Sequence, residues 1–253
     1  MKRTLFGLTT AALMAIGTTS YANTIVAFDN FGGDDLNLTS FTGEAAFSSA
    51  GDGFNEYDSG EGAPFALLDD TLGVFTPDTL GIVVNAADGS AYDAFFGAVD
   101  TQNGDNSGVI TATWVFDVTG STDLEVSFDI AAMGDFETSD VYTVSVQIDG
   151  GTPVSIDLLV DESLTQNYIL ASGTSVDLDD PMQIGATTLT NVFQTFSTGN
   201  LGAGDTVTIT VDAQLDGGSE AIALDNVTIT NIPEPTSLAL LALGGITMLR
   251  RRR

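Results

Sequence analysis

The stretch that decides the fold is residues 109–117, VITATWVFD, with its continuation at 123–131, DLEVSFDIA. The first is β-branched and aromatic and carries the single tryptophan, Trp114. In the second, Leu124, Val126, Phe128 and Ile130 fall on one face. Apolar residues at every second position mark a half-buried strand, because successive side chains point to opposite faces.

The same period recurs on both sides. Tyr142, Val144, Val146 and Ile148 repeat it, and Asp149-Gly150-Gly151 makes a tight turn into a strand at 154–160. Residues 24–29 read as an opening strand. Residues 206–213 place Val207, Ile209 and Val211 inward, and Asp216-Gly217-Gly218 turns the chain. Residues 221–231 then offer Ile222, Leu224, Val227 and Ile229 to the core. Residues 30–108, rich in Gly, Asp, Ser and Phe, read as short strands among long loops. Strands separated by turns, without βαβ spacing, predict an all-β fold: an antiparallel β-sandwich of jelly-roll type.

Both ends of the 253-residue chain read differently from its middle. Lys2 and Arg3 precede an apolar stretch at 5–16, and Ser20-Tyr21-Ala22 supplies small residues for cleavage before Asn23. That is the pattern of a secretory signal peptide over 1–22. At the other end, Pro233-Glu234-Pro235 leads into LALLALGGITML (238–249) and then Arg250, Arg251, Arg252 and Arg253. A helix over 236–249 spans roughly 21 Å at 1.5 Å per residue, short of the roughly 30 Å hydrocarbon core. The arginines can snorkel and hold that end in the cytoplasm, while the prolines keep the preceding segment extended. A signal helix and a short C-terminal transmembrane helix are therefore expected to flank the sandwich. The domains expected are 1–22, 23–231 and 232–253.

Pro-Glu-Pro, a short apolar helix and an arginine run, in that order, resemble the PEP-CTERM sorting signal of Gram-negative bacteria. The resemblance implies processing by an exosortase-type membrane enzyme and a transient hold in the inner membrane. It also implies export to the outer cell surface or extracellular matrix, in company with exopolysaccharide and biofilm formation. It covers 232–253 and assigns no task to the domain. Within the domain, GDFETSDVYTVSVQIDGG (134–151) and GGSEAIALDNVTIT (217–230) look like hairpins of secreted jelly-roll modules. They imply a sandwich and no definite activity.

Charge is the strongest clue to chemistry. All six basic residues are Lys2, Arg3 and Arg250 to Arg253, and histidine and cysteine are absent. Of the 35 acidic residues only Glu234 lies outside 23–231, so that domain holds 34 acids, no base and a formal charge of −34. Nucleic acid and anionic lipid headgroups are excluded as partners of this domain, since both require Lys or Arg. Ser-His-Asp catalysis, thiolate chemistry, Schiff bases and phosphate clamps are excluded with them. Carboxylate, hydroxyl and amide remain, which suit oxygen-only cation coordination and hydrogen bonding to sugars.

Calcium is the natural cation for such donors. Asp135, Glu137 and Asp140 cluster at one turn, Glu220 and Asp225 flank the start of the last strand, and Asp29 approaches Asp225 if the terminal strands pair. Asp100, Asn103, Gly104 and Asp105 only suggest a calcium loop. For sugars, Tyr92, Phe95 and Phe96 are the candidates for a stacking platform, whereas Trp114 belongs to the core. No acid stands in a catalytic motif, although paired carboxylates are what a glycosidase needs. Three functions follow: a non-enzymatic, calcium-dependent surface or matrix protein associated with exopolysaccharide; a carboxylate-dependent enzyme acting on polysaccharide; or an adhesion or surface-layer subunit without glycan specificity.

Overall fold

The alternating pattern is realised strand by strand in the computed structural model, which describes residues 23–58, 81–82, 94–170, 173–218 and 220–232. The strands run in order as β1 (Thr24–Asp29), β2 (Asp35–Leu36), β3 (Leu38–Thr42), β4 (Gly53–Asp58) and β5 (Ala94–Val99). Then come β6 (Ile110–Met133), β7 (Val141–Ile148), β8 (Val154–Val160), β9 (Thr165–Ile169) and β10 (Ser175–Asp179). Short β11 (Met182–Ile184), β12 (Thr187–Thr188) and β13 (Gln194–Ser197) precede β14 (Gly202–Gln214) and β15 (Ala221–Asn231). Every pairing among them is antiparallel, and the all-β sandwich expected from the sequence is present.

The two stretches 109–117 and 123–131 are not separate strands but one, β6. Gly120, at φ +87°, lets the chain bend between them, and Asp117 braces the bend by accepting the backbone N–H and the hydroxyl of Thr119 at 2.9 and 2.6 Å. Facing it, β14 shifts register at Gly202, Gly204 and Thr206, so the two strands bend together. The first half of β6 pairs with β14 and β3, the second with β15 and β13. One strand thus serves both layers and forms the corner of the sandwich. The first layer continues through β7, β8 and β11 to β12. In the second, the outer edge of β15 pairs with β1 over its last residues and with β5 over its first.

The inward residues are those the period selects: Leu124, Val126, Phe128 and Ile130 of β6 and Val207, Ile209 and Val211 of β14 are at most 1 % exposed. Trp114 stacks on Phe41 with centroids 4.9 Å apart and meets Phe96 edge-on at 5.0 Å. A second core lies on the other side of β5, where the β9–β10 hairpin brings Tyr168, Leu170 and Val176 against Phe95, Met133 and Ala223. Here the sheet is buried on both faces. Alternation disappears, and β5 reads as the unbroken apolar run AFFGAV.

The expected signal helix, the C-terminal helix, Pro233, Glu234, Pro235, Arg250 to Arg253 and Tyr92 lie outside the described residues. Among the described residues no helix is long and apolar enough to cross a membrane.

Candidate functional site

Strand register brings two distant turns together. The turn 134–140 links Met133 to Val141, and the turn 215–220 links Gln214 to Ala221. Met133 pairs with Ala221, and Val141 pairs with Gln214. Both turns therefore leave the sheet side by side at the same end. A further tie comes from Leu215, whose N–H donates to Thr101 Oγ1 at 2.9 Å and whose carbonyl accepts the Gln102 N–H at 2.7 Å.

Four carboxylates meet there: Glu137 and Asp140 from the first turn, Asp216 and Glu220 from the second. One oxygen of each lies within 4.8 Å of the others. Asp140 closes its own turn, its N–H donating to the Glu137 carbonyl at 2.9 Å while its Oδ2 accepts the Glu137 N–H at 2.7 Å. Its Oδ1 reaches across to the Asp216 N–H at 3.4 Å. Glu220 Oε2 accepts the Gly217 N–H at 3.0 Å. A side chain at Gly217 would collide with Glu220 Oε1, so glycine at this position lets the carboxylate fold back. Asp140 is 7 % exposed and Glu220 1 %, while Glu137 and Asp216 are exposed.

Burial of this charge has a clear electrostatic consequence. Desolvation, then the Asp140 charge and a side-chain hydrogen bond with Glu137, push the Glu220 carboxyl up to about 9. Desolvation raises Asp140 to about 6; the Glu137 N–H offsets part of that, and Asp216 and Glu137 add to it. Without a cation, a value near 9 keeps Glu220 protonated at neutral pH, its carboxyl hydrogen-bonded to Glu137. A hard divalent ion suits the same oxygens, because it replaces the proton and offsets the repulsion among the four groups. The group can hold a metal ion, with two buried ligands behind it and two exposed ones in front.

The other candidates go elsewhere. Asp135 is exposed beside Asp179 and Asp180 as well as Glu137; burial, then Asp180, Glu137 and Asp179, raise its carboxyl. Asp225 is buried opposite Asp129 in the β15–β6 register. Asp29 is buried, accepts the Phe31 N–H at 2.9 Å and lies opposite Val227, so β1 does pair with β15. None of these three joins the four-carboxylate group. In the loop at 100–106, Asp105 accepts the N–H and hydroxyl of Ser48, both at 2.7 Å, and Asn103 Nδ2 donates to Asp52 at 2.8 Å. Those polar groups organise the loop.

Phe95 and Phe96, expected at a sugar-stacking surface, are both 0 % exposed. They point to opposite faces of β5 and fill one core each. With apolar layers on both sides, neither ring can reach a ligand. Sequence reading alone misses Asp216 as a member of the four-carboxylate group. Its signal is the Asp-Gly-Gly turn, but only the cross-pairing of strand ends shows which turn it meets.

Residues 231–253 match the PEP-CTERM protein-sorting motif. This motif indicates export through the inner membrane and exosortase-dependent delivery to the surface or the exterior. No curated protein matches the chain in sequence. Among solved structures, the K3 cleaved adhesin domain of Lys-gingipain from Porphyromonas gingivalis W83 is 13 % identical, over 83 % of this chain and 99 % of that one, with a TM-score of 0.36. TmCBM61 in complex with β-1,4-galactotriose is 12 % identical over 54 % of this chain and 70 % of that one, with a TM-score of 0.30. An exo-β-agarase is 11 % identical over 83 % of this chain and 26 % of its own, with a TM-score of 0.35.

Proposed function

We propose that the sandwich is a non-enzymatic surface or matrix module that takes up calcium at Glu137, Asp140, Asp216 and Glu220 and associates with exopolysaccharide. The observation that carries this reading is the four-carboxylate group itself, half of it buried, in a domain with no base to neutralise it. Four carboxylates supply part of the six to eight oxygens calcium takes, and water or sugar hydroxyls complete the shell from the exposed side. Calcium also bridges protein carboxylates to acidic sugars, which lets a polyanionic protein join a polyanionic matrix.

A glycosidase reading draws on the raised Glu220 carboxyl beside other carboxylates, the arrangement a general acid needs. Against it stands burial: Glu220 is 1 % exposed, which leaves a glycosidic oxygen little access to it. The third reading, an adhesion subunit without glycan specificity, shares the calcium site and differs in its ligand.

The deciding experiment is calorimetric titration of the purified protein with calcium, paired with melting in chelator and in millimolar calcium. Heat of binding and a raised melting temperature, both lost in Glu220→Gln, support the reading. No heat and an unchanged melting temperature overturn it. A glycan panel run with and without calcium then separates sugar binding, hydrolysis and neither.

A further inference from the structure

Six prolines punctuate the chain, and one of them follows an aspartate: Asp180-Pro181, between β10 and β11. Asp180 has φ +55°. A residue before proline is driven towards extended backbone, and the left-handed region is unfavourable for any residue with a Cβ. Three hydrogen bonds hold this conformation. The Asp180 N–H donates to the Leu164 carbonyl at 3.0 Å, and the Asp161 N–H donates to the Pro181 carbonyl at 3.0 Å. The third, from the Phe136 N–H, meets the Asp180 carbonyl oxygen at 3.2 Å, where negative charge would develop if that carbon were attacked.

The attacking group belongs to the same residue. Asp180 is half-buried, and no described residue donates a hydrogen bond to its carboxyl. Its charge neighbour is Asp135 on the turn after β6, which itself lies near Glu137 and Asp179. Asp161, whose N–H donates to the Pro181 carbonyl, has its own carboxylate held by Ser163 and Gln183. In acidic solution an Asp–Pro bond is the most labile peptide bond. Its aspartyl carboxyl closes a five-membered ring on the adjacent carbonyl, and proline leaves as a secondary amine.

We propose that Asp180–Pro181 is a self-cleavage site of the folded protein. An oxygen of the Asp180 carboxyl bonds to the Asp180 carbonyl carbon, the bond from that carbon to the Pro181 nitrogen breaks, and the carboxyl proton passes to the departing nitrogen. The cyclic anhydride left on Asp180 then takes up one water and opens to two carboxyls. The sum is hydrolysis of one peptide bond, with water as the only co-reactant. Backbone strain at Asp180 and the Phe136 N–H favour the step in the native fold. The products stay together, because β11 remains paired with β8, β14 with β6 and β7, and β15 with β6. What changes is the β9–β10 hairpin, which loses one of its two tethers over the second core. This inference does not depend on the calcium reading.

The test incubates the purified full chain in mildly acidic buffer where circular dichroism shows intact strand content, beside the same chain in urea at the same pH. Mass spectrometry follows the fragments. Cleavage between 180 and 181 that is about tenfold faster in the native chain is expected, the factor that relief of roughly 1.4 kcal/mol at the transition state gives. Equal or slower cleavage in the native chain overturns the proposal. Asp180→Gly keeps the positive φ and removes the carboxyl, and Pro181→Ala keeps the carboxyl and replaces the secondary-amine leaving group with a less basic primary one. The first is expected to stop cleavage and the second to slow it about tenfold or more, both without unfolding the protein. A cut at this position in Asp180→Gly, or an undiminished rate in Pro181→Ala, overturns the mechanism.

Discussion

Replacing Glu220 with glutamine should make the calcium-free protein more stable and the calcium response disappear. The sign follows from linkage. In the unfolded chain the Glu220 carboxyl has its ordinary value of 4.5; folding raises it to about 9. Between those values the folded state binds more protons than the unfolded one, so the Glu220 contribution is fully present below 4.5 and is lost as pH rises towards 9. At neutral pH the loss is about 3 kcal/mol, since every pH unit climbed above 4.5 removes about 1.4 kcal/mol. Glutamine has nearly the same shape as protonated Glu220, can accept the Gly217 N–H and can donate to Glu137, but never ionises. In chelator at neutral pH, Glu220→Gln should therefore exceed the native sequence by up to about 3 kcal/mol. Calcium at ~100 times its dissociation constant should then stabilise the native protein by about 3 kcal/mol and leave the variant nearly unmoved. Trp114, the only tryptophan and 0 % exposed, reports both in urea titrations followed by fluorescence. A variant less stable than the native protein in chelator, yet still raised by calcium, would refute the reasoning.

Three further outcomes are expected. Asp140→Ala leaves the Glu137 and Asp216 N–H groups without their carboxylate acceptor and should cost ~1–3 kcal/mol in urea unfolding, with loss of calcium heat in calorimetry. Phe96→Ala should cost ~3–5 kcal/mol by the same unfolding assay, because the ring packs edge-on against Trp114 and Phe54 in the main core. Mass spectrometry of the exported protein should find Asn23 as its first residue and no residues from the arginine run.

Legibility in the sequence tracks how far each residue's partner lies along the chain. Strands β1, β8 and β15 fall where alternation and turn residues put them, because period and turn chemistry are local. The bend in β6 is hidden because Gly120 looks like a terminator, and only the paired irregularity in β14 shows that hydrogen bonding continues past it. Strand β5 is hidden for a different reason. With a core on each face it has no polar side, and a loop rich in aromatics has the same composition. The site is half legible. Glu137 and Asp140 share a turn, and Glu220 precedes a strand, but Asp216 joins them only through the Met133–Ala221 and Val141–Gln214 registers.

The same registers decide how this domain meets its charge. Among the described residues most of its carboxylates face solvent, where salt screens their repulsion within about 10 Å at 0.1 M and no particular ion is required. Asp140 and Glu220 cannot be treated that way, since water and its counterions reach neither freely. They have two remedies, a proton or a cation held against the oxygens. The chain contains no third, because every lysine and arginine lies in residues 1–22 or 232–253 and there is no histidine. A surface polyanion would be indifferent to which cations surround it. Two buried carboxylates behind two exposed ones are not indifferent, and on the calcium reading proposed above that asymmetry would make a specific divalent ion, rather than ionic strength, the variable that moves the stability of the fold.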